Sequence, residues 1–219
     1  IDPLREAVVM SLETCIGAEL NLFEETPEHA RRIILTTPVL SASKFKRLRD
    51  NQYQGFSVAT IDLNYNPEEL GLEQALIAVL DKAEAAVRSG HVILILSDAQ
   101  LKKDYIPIPA AMATGGVHSR LVNEGLRCDS NIVVETGSVR DSHQFAVLFG
   151  FGATAVYPYL VYRTLRDLCN SGELALEPLH SQENYRKGIN KGLLKILSKM
   201  GISTICLLYT SPSPRDQAK

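Results

Sequence analysis

The chain has 219 residues, of which 45% are hydrophobic and 22% are charged, and its formal net charge is −2. This nearly neutral balance excludes the basic surface by which many domains bind nucleic acid. No apolar run approaches the roughly 20 residues that a membrane-spanning helix needs, so the composition indicates a globular protein that binds neither nucleic acid nor membrane.

The amino-terminal third of the sequence mixes helical and strand patterns. Apolar residues spaced four apart predict a helix over residues 4–16, which Asp2 and Pro3 would begin and Gly17 would end. The elements predicted after it are an edge strand over residues 33–40, interrupted by Pro38, a short helix over 43–50 and a half-exposed strand over 56–63. Residues 72–89 then carry the clearest helical pattern of the chain.

Strands and helices alternate through the rest of the chain. The predicted strand–helix repeats cover residues 92–124, 132–150 and 153–169, and a helix over 182–200 and a strand over 202–205 follow. Gly115 and Gly116 lie inside the helix of the first repeat and predict the close approach of another backbone. The pattern predicts an α/β fold with a mostly parallel sheet, either open or part of a β/α barrel.

Polar residues close three of the predicted strands, and they are the first candidates for chemistry. Asp98, Glu135 and Tyr157 lie at carboxyl ends, where parallel sheets carry their active sites. Asp98 and Glu135 are interpreted either as an acid–base pair or as cation ligands. The favoured alternative is that each carboxylate caps the next helix or pairs with a basic neighbour such as Arg140 or Lys103.

Other motifs lack the context that their chemistry requires. Gly150–Gly152 precedes a strand, whereas a dinucleotide-binding glycine motif follows one. Gly137 and Ser138 offer only a weak phosphate cradle, and the spacing of His118 and His143 is not that of a metal site. The cysteines show no CxxC spacing, which favours reduced thiols in a cytoplasmic protein: Cys15, Cys128, Cys169 and Cys206. The residues alone therefore identify no catalytic, cofactor-binding or metal-binding group.

Four long segments nevertheless resemble one known family. They are IDPLREAVVMSLETCIGAELNLFEETPEHARR (1–32), IPIPAAMATGGVHSRLVNEGLR (106–127), NIVVETGSVRDSHQFAVLFGFGATAVYPYL (131–160) and NYRKGINKGLLKILSKMGISTI (184–205). Together they resemble the central domain of the glutamate synthase large subunit, with the bacterial NADPH-dependent type as the closest likeness. The resemblance runs over residues 1–205 and implies a fold similar to a degenerate β/α barrel.

The resemblance implies a non-catalytic domain of a catalytic protein. Members of the family make L-glutamate from glutamine-derived ammonia and 2-oxoglutarate, with NADPH as the reductant in the type resembled. The implied partners are an amidotransferase domain and an FMN domain of the same chain, which also holds an iron–sulfur cluster, and a small subunit that brings FAD and NADPH. The central domain would contribute to the ammonia tunnel, and the residues expected at tunnel or interdomain contacts are Ile1, Asp2, Arg5, Asp98 and Glu135.

Both ends of the chain indicate a piece of a longer protein. The chain begins at Ile1 without a methionine, and residues 206–219 resemble the translation of a sequencing adapter rather than a natural segment. Residues 1–205 are therefore predicted to be the domain and residues 206–219 a non-native tail, with a natural flexible tail as the alternative. A free-standing α/β protein that binds a small ligand without catalysis is the alternative function, and the electron donor of the parent protein stays open between NADPH, NADH and ferredoxin.

Overall fold

The computed structural model describes residue 2 and residues 4–210. The helices are α1 (Glu6–Val9), α2 (Ala42–Arg49), α3 (Leu72–Arg88), α4 (Ala110–Asn123), α5 (Ser142–Gly150), α6 (Tyr159–Asn170), α7 (Pro178–Met200) and α8 (Leu207–Thr210). The strands are β1 (Thr14–Ile16), β2 (Ile33–Leu35), β3 (Val58–Asp62), β4 (Asn64–Tyr65), β5 (Ile93–Ser97), β6 (Ile106–Pro107), β7 (Asn131–Glu135) and β8 (Ala155–Tyr157).

A parallel sheet of four strands in the order β3-β5-β7-β8 forms the centre of the fold. A single parallel bridge between Val39 and Val156 adds a further extended segment beyond β8. Strand order therefore follows chain order from β3 to β8, as repeated strand–helix units require. The predicted α/β class and parallel sheet are confirmed, and within the described residues the sheet is open rather than closed into a barrel.

The two faces of the sheet bury separate apolar clusters. Leu94 and Leu96 of β5 face a large cluster that includes side chains of α3, α4, α5 and α7. The alternate residues Ile93 and Ile95 belong to a smaller cluster with the antiparallel hairpin β1–β2 and with α2. Because successive side chains of a strand point to opposite faces, an unbroken apolar strand such as β5 is buried on both sides.

Helix α3 confirms the clearest helical prediction. Ala75, Val79, Ala83 and Val87 recur every four residues and are buried against the core. On the outer surface Arg120 of α4 donates hydrogen bonds to Asp81 and Glu84 of α3, each over 3.0 Å. The two helices thus hold their relative position by apolar packing beneath and ion pairs above.

The predicted helix over residues 4–16 is wrong. Only Glu6–Val9 is helical, and Thr14–Ile16 is extended because it pairs with β2 in the hairpin. The residues that suggested one helical stripe have different environments: Leu4 and Val8 are exposed, whereas Leu12 and Ile16 are buried. Pairing with a strand distant in sequence overrode the local periodicity.

Two further predictions are corrected. Residues 202–205 do not form a strand, and only Thr204 makes an isolated bridge, with Ser11. Gly115 and Gly116 lie against side chains rather than a backbone, since a Cβ at these positions would meet Phe151 at 2.9 Å and Leu80 at 3.1 Å respectively.

Candidate functional site at the two edges of the sheet

The carboxyl ends of β5 and β7 bring Asp98 and Glu135 together, as the sequence predicted. Ser97 and Glu135 are register partners, and the N–H of Asp98 donates to the carbonyl of Glu135 over 3.1 Å. Both carboxylates are buried, with exposed fractions of 6% and 8%. This edge is therefore the natural place to look for an active site.

The Asp98 carboxylate binds groups of the neighbouring strand end rather than open space. The Thr136 hydroxyl donates to Oδ2 over 2.5 Å, and the Gly137 N–H donates to Oδ1 over 3.0 Å. Both carboxylate oxygens of Asp98 are thus engaged by groups of the protein itself. Asp98 thus ties the end of β5 to the turn after β7.

Glu135 and two tyrosines complete this edge. The Ser97 hydroxyl donates to Glu135 Oε2 over 2.6 Å. Burial, reinforced by the Asp98 carboxylate, raises the pKa of Tyr159 to about 12. Burial and Glu135 also raise the pKa of Tyr157, whose ring stacks on Phe45 at 4.3 Å between centroids. Both phenols therefore stay protonated at neutral pH.

The prediction that Asp98 and Glu135 each cap the next helix or pair with a basic neighbour was wrong. Among the described residues, neither Asp98 nor Glu135 forms an ion pair with Arg140 or Lys103, and the helix cap of α5 is Asp141. The carboxylates instead accept bonds from hydroxyl and backbone groups one strand away, which a pattern of single strands does not reveal. Their expected role at tunnel or interdomain contacts stays a prediction.

The amino-terminal residues of the predicted contact set lie elsewhere. Ile1 falls outside the described residues. Asp2 and Arg5 form an exposed ion pair of 2.7 Å, and the backbone N–H of Leu4, with Arg5, lowers the pKa of Asp2. Within the described chain, no hydrogen bond or ion pair joins them to Asp98 or Glu135. The described residues of the predicted contact set thus form two separate pairs, Asp2 with Arg5 and Asp98 with Glu135.

A cavity at the opposite edge was missed from the sequence. It has a volume of about 340 Å³, and its wall includes Arg127 and Asn131 at the amino end of β7 and Gly152 before β8. Arg127 donates from Nη1 to the Ser130 carbonyl over 2.7 Å, from Nη2 to the Gly152 carbonyl over 3.0 Å and from Nε to His118 over 3.0 Å. The only available signal was a lone arginine two residues after a helix-ending glycine, which is not distinctive.

The amino-terminal part also exposes large apolar side chains. Leu22 and Phe23 are 85% and 97% exposed and are followed by Glu24 and Glu25. Leu4 and Val8 of the first segment are likewise almost fully exposed. Large apolar side chains exposed to this extent are typical of surfaces that another protein surface covers.

Two other kinds of site find no support in the described part of the chain. No cluster of three or more His, Cys, Asp or Glu residues suited to a metal ion occurs among the residues that the structure describes. The described helices include none long and apolar enough to cross a bilayer. His118 lies beside Arg127, and burial followed by the charge of Arg127 lowers the pKa of His118.

Comparison with known proteins gives a consistent result. The family model described as the glutamate synthase central domain matches residues 1–210. The chain is 38% identical over 205 residues to the glutamate synthase [NADPH] large chain of Bacillus subtilis (strain 168), covering 94% of this chain and 13% of that protein. It is 40% identical over 218 residues to ferredoxin-dependent glutamate synthase 1, chloroplastic/mitochondrial, of Arabidopsis thaliana, again covering 94% of this chain and 13% of that protein.

One solved structure shares the general fold. The L230A mutant of flavocytochrome b2 with benzoylformate superposes with a TM-score of 0.52 at 14% identity, over 78% of this chain and 38% of that chain. At this identity the similarity concerns the fold alone. It agrees with the parallel sheet and its outer helices.

Proposed function

Because the chain belongs to the glutamate synthase central domain family, we propose that it connects the two catalytic domains of a glutamate synthase and contributes to the ammonia tunnel between them. One observation carries the proposal: 94% of this chain matches only 13% of the Bacillus large chain. A domain that is a small part of a large enzyme is expected to have exposed apolar surfaces that its neighbours cover. The bare Leu22 and Phe23 side chains support this expectation.

The activity of the whole protein belongs to the same proposal. The whole protein would form L-glutamate from 2-oxoglutarate and from ammonia released from glutamine. FMN and an iron–sulfur cluster would be bound by the remainder of the chain, and FAD and NADPH by a small subunit. Relatives named for NADPH, NADH and ferredoxin as electron donors are similarly identical to this chain, at 38%, 37% and 40%. NADPH therefore stays a proposal, as does a cytoplasmic location, which the free cysteines favour.

The carboxyl edge of the sheet supports a connecting role over a catalytic one. The Asp98 carboxylate accepts hydrogen bonds from Thr136 and Gly137, and Glu135 accepts one from Ser97. A general base needs a substrate proton within hydrogen-bond reach, and these carboxylates direct their bonds to the protein itself. The acidic cluster therefore acts as a structural tie, and we place the chemistry of the parent enzyme in its other domains.

Replacement in a relative tests the connecting role. Residues 2–205 would replace the matching segment of the Bacillus large chain, and glutamine-dependent glutamate formation would be measured beside glutaminase activity. We expect both activities to be retained. A double change of Leu22 and Phe23 to serine should lower glutamate formed per glutamine hydrolysed by several fold, because ammonia escapes where the domain surfaces separate.

The matched control is Leu179→Ser, which removes a leucine of similar exposure, 80%, from the first turn of α7. It should leave the ratio unchanged. A folded chimera that forms no glutamate from glutamine, or a double variant with the parental ratio, would contradict the proposal.

We propose separately that residues 206–219 are not native. Residues 211–219 lie outside the described part of the chain, and residues 207–210 form the single turn α8. The family match continues to residue 210, five residues beyond the expected boundary. Long reads of the source DNA across this region decide the matter, since native codons after residue 205 would overturn the proposal.

A further inference from the structure

A groove with a volume of about 270 Å³ lies between strand β2 and helix α2. Its apolar lining comes from Ile34 and Leu35 of β2, from Leu48 of α2 and from Tyr53 in the turn that follows. Ile34 is 61% exposed and Tyr53 is 75% exposed, so these side chains face solvent. Large apolar and aromatic side chains in such a place are typical of a surface that a protein partner covers.

The same groove, hereafter the β2–α2 groove, carries positive charge. Lys44 and Arg47 line it, and both are exposed. Neither forms an ion pair with any residue that the structure describes, and the hydrogen bond of Lys44 goes to the Thr36 hydroxyl over 3.5 Å. No Asp or Glu is among the described residues that line the groove. The complementary occupant is therefore an apolar group that is accompanied by carboxylates.

One exposed segment of this chain has that chemistry. Leu22 and Phe23 are 85% and 97% exposed, and the exposed Glu24 and Glu25 follow them directly. Within the described chain neither of these carboxylates forms an ion pair. Two apolar side chains and two negative charges thus match a groove that has an apolar lining and two positive charges.

A turn holds this segment in place before any partner arrives. The Phe23 N–H donates to Asn21 Oδ1 over 3.1 Å, and Asn21 Nδ2 donates to the Glu24 carboxylate over 3.0 Å. The Glu24 N–H also donates to the Asn21 carbonyl over 3.1 Å. A segment that is already ordered loses less conformational entropy when it docks.

We propose that the segment Leu22–Glu25 of one copy of this chain docks in the β2–α2 groove of a second copy. The exposure of Leu22 and Phe23 shows that the segment does not occupy the groove of its own chain. In the pairing, these two side chains lie against the apolar lining and the two glutamates face Lys44 and Arg47. Because the segment and the groove are different surfaces, each copy offers one of each to its neighbours. This pairing concerns the 219-residue chain itself and does not rest on the connecting role.

Charge reversal on either surface tests the pairing. Lys44→Glu with Arg47→Glu reverses the groove, and Glu24→Lys with Glu25→Lys reverses the segment. Sedimentation equilibrium of the full chain at low salt gives the dissociation constant of self-association, which should rise by a factor of about ten or more in each reversed chain, because like charges then face each other. An equimolar mixture of the two reversed chains should associate as the parent does, since each segment then meets a groove of opposite charge. A parent chain that stays monomeric, or a mixture that does, would overturn the proposal.

Matched reversals elsewhere separate the pairing from an effect of net charge. Lys102→Glu with Lys103→Glu, and Glu68→Lys with Glu69→Lys, change the same number of exposed charges outside both surfaces. Both control chains should retain the parental dissociation constant, and a rise equal to that of the reversed chains would overturn the proposal. The unfolding midpoint of every variant is compared with that of the parent first. If the groove-reversed chain does not fold, the segment-reversed chain decides alone, and an unchanged dissociation constant would overturn the proposal.

A second control removes the apolar half of the contact. Leu22→Ser and Phe23→Ser, added to both reversed chains, should abolish the association of their mixture. Association that survives this change would come from general charge attraction, and it would overturn the proposal.

NMR locates the contact on the molecule. The chain with Leu22→Ser and Phe23→Ser retains the groove and lacks the apolar side chains of the segment, whereas the groove-reversed chain retains the segment. When the first is isotope-labelled and the second is added unlabelled, they can pair in one way only. We expect saturable shifts of the Ile34 and Tyr53 amide resonances, with no change at Leu160, an exposed residue of α6. Shifts at Leu160 without shifts at the groove would overturn the proposal.

Discussion

At the scale of single residues, Asp98 is the group on which most of the carboxyl edge depends. It is 6% exposed, and it accepts hydrogen bonds from the Thr136 hydroxyl and the Gly137 N–H. Hydrogen bonds to a charged group contribute about 1.5–3 kcal/mol each, and their loss is more costly when the donor is buried. The residue therefore joins two strands whose backbone ladder ends just before it.

Asp98→Asn is expected to lower the free energy of unfolding by about 1–3 kcal/mol, because the amide accepts on one side only and loses the charge. Urea denaturation followed by circular dichroism measures the change. Asp104→Asn is the control, since Asp104 is exposed and has a φ of 68°, a conformation that asparagine also adopts readily. A loss no greater than that of the control would mean that the Asp98 bonds contribute little.

Tyr162 predicts a loss of stability at alkaline pH. Its hydroxyl donates to the Leu40 carbonyl over 2.8 Å, and burial, the largest cause, raises its pKa to about 12 from an ordinary value near 10. The folded state thus holds this proton more tightly than the unfolded state does. The resulting stability is complete below pH 10 and is lost as the pH rises from 10 through 12.

Tyr162→Phe should therefore be less stable than the parent chain at pH 8, by about 1 kcal/mol for the lost hydrogen bond. The gap should narrow at pH 11, because the phenylalanine cannot ionise. Unfolding by urea at the two pH values checks this, and the other tyrosines, present in both proteins, cancel in the difference. If the difference in free energy of unfolding between the two proteins widened with pH, the predicted direction of the pH dependence would be wrong.

At the scale of elements, the contact between α5 and α7 depends on one glycine. A Cβ added at Gly192 of α7 would lie 2.6 Å from the Ser142 Cβ and closer still to its hydroxyl, at the start of α5. A Cβ added at Gly188, one turn earlier on the same helix, would meet no atom within 4 Å. The two glycines share one helix and differ only in what they face.

Gly192→Ala is accordingly expected to destabilise the chain by about 1–3 kcal/mol through overpacking. Gly188→Ala should stabilise it by about 0.5–1 kcal/mol, since alanine is the better helix former. Thermal and urea unfolding of both variants measure the contrast. Adding Ser142→Gly to Gly192→Ala should recover part of the loss, and no recovery would place the strain elsewhere.

At the scale of the whole molecule, the sequence predicted the repeated strand–helix units because their apolar patterns are local. Ile93–Ser97 is buried throughout and Leu72–Arg88 buries one face, as their periodicities indicated. The amino-terminal region was misread because Ile16 takes its structure from Ile33, seventeen residues away. The cavity was missed for the same reason, since Arg127 gains its neighbours from the start of β8 and from the hairpin loop.

The bare apolar side chains of the amino-terminal part predict self-association of the isolated chain. Changing Leu22 and Phe23 to serine should raise the concentration at which light scattering begins, because these side chains are 85% and 97% exposed. The free energy of unfolding should stay within about 0.5 kcal/mol of the parent, as for other exposed sites. Leu179→Ser, which changes a single exposed leucine, should raise this concentration less. An equal rise would show that Leu22 and Phe23 do not form a particular surface for self-association.

The bridge between Val39 and Val156 has a consequence for synthesis on the ribosome. Residues 38–40 add to the sheet beyond β8, with Leu40 donating to Val156 and Val156 donating to the Pro38 carbonyl. The Tyr162 hydroxyl then bonds Leu40 across 122 positions of sequence. Residues 38–40 must therefore wait until β8, which is synthesised much later, has left the ribosome before they can dock, and distant pairing of this kind slows folding. During that interval the apolar face of the hairpin and α2 is uncovered, which makes the nascent chain a client for chaperones.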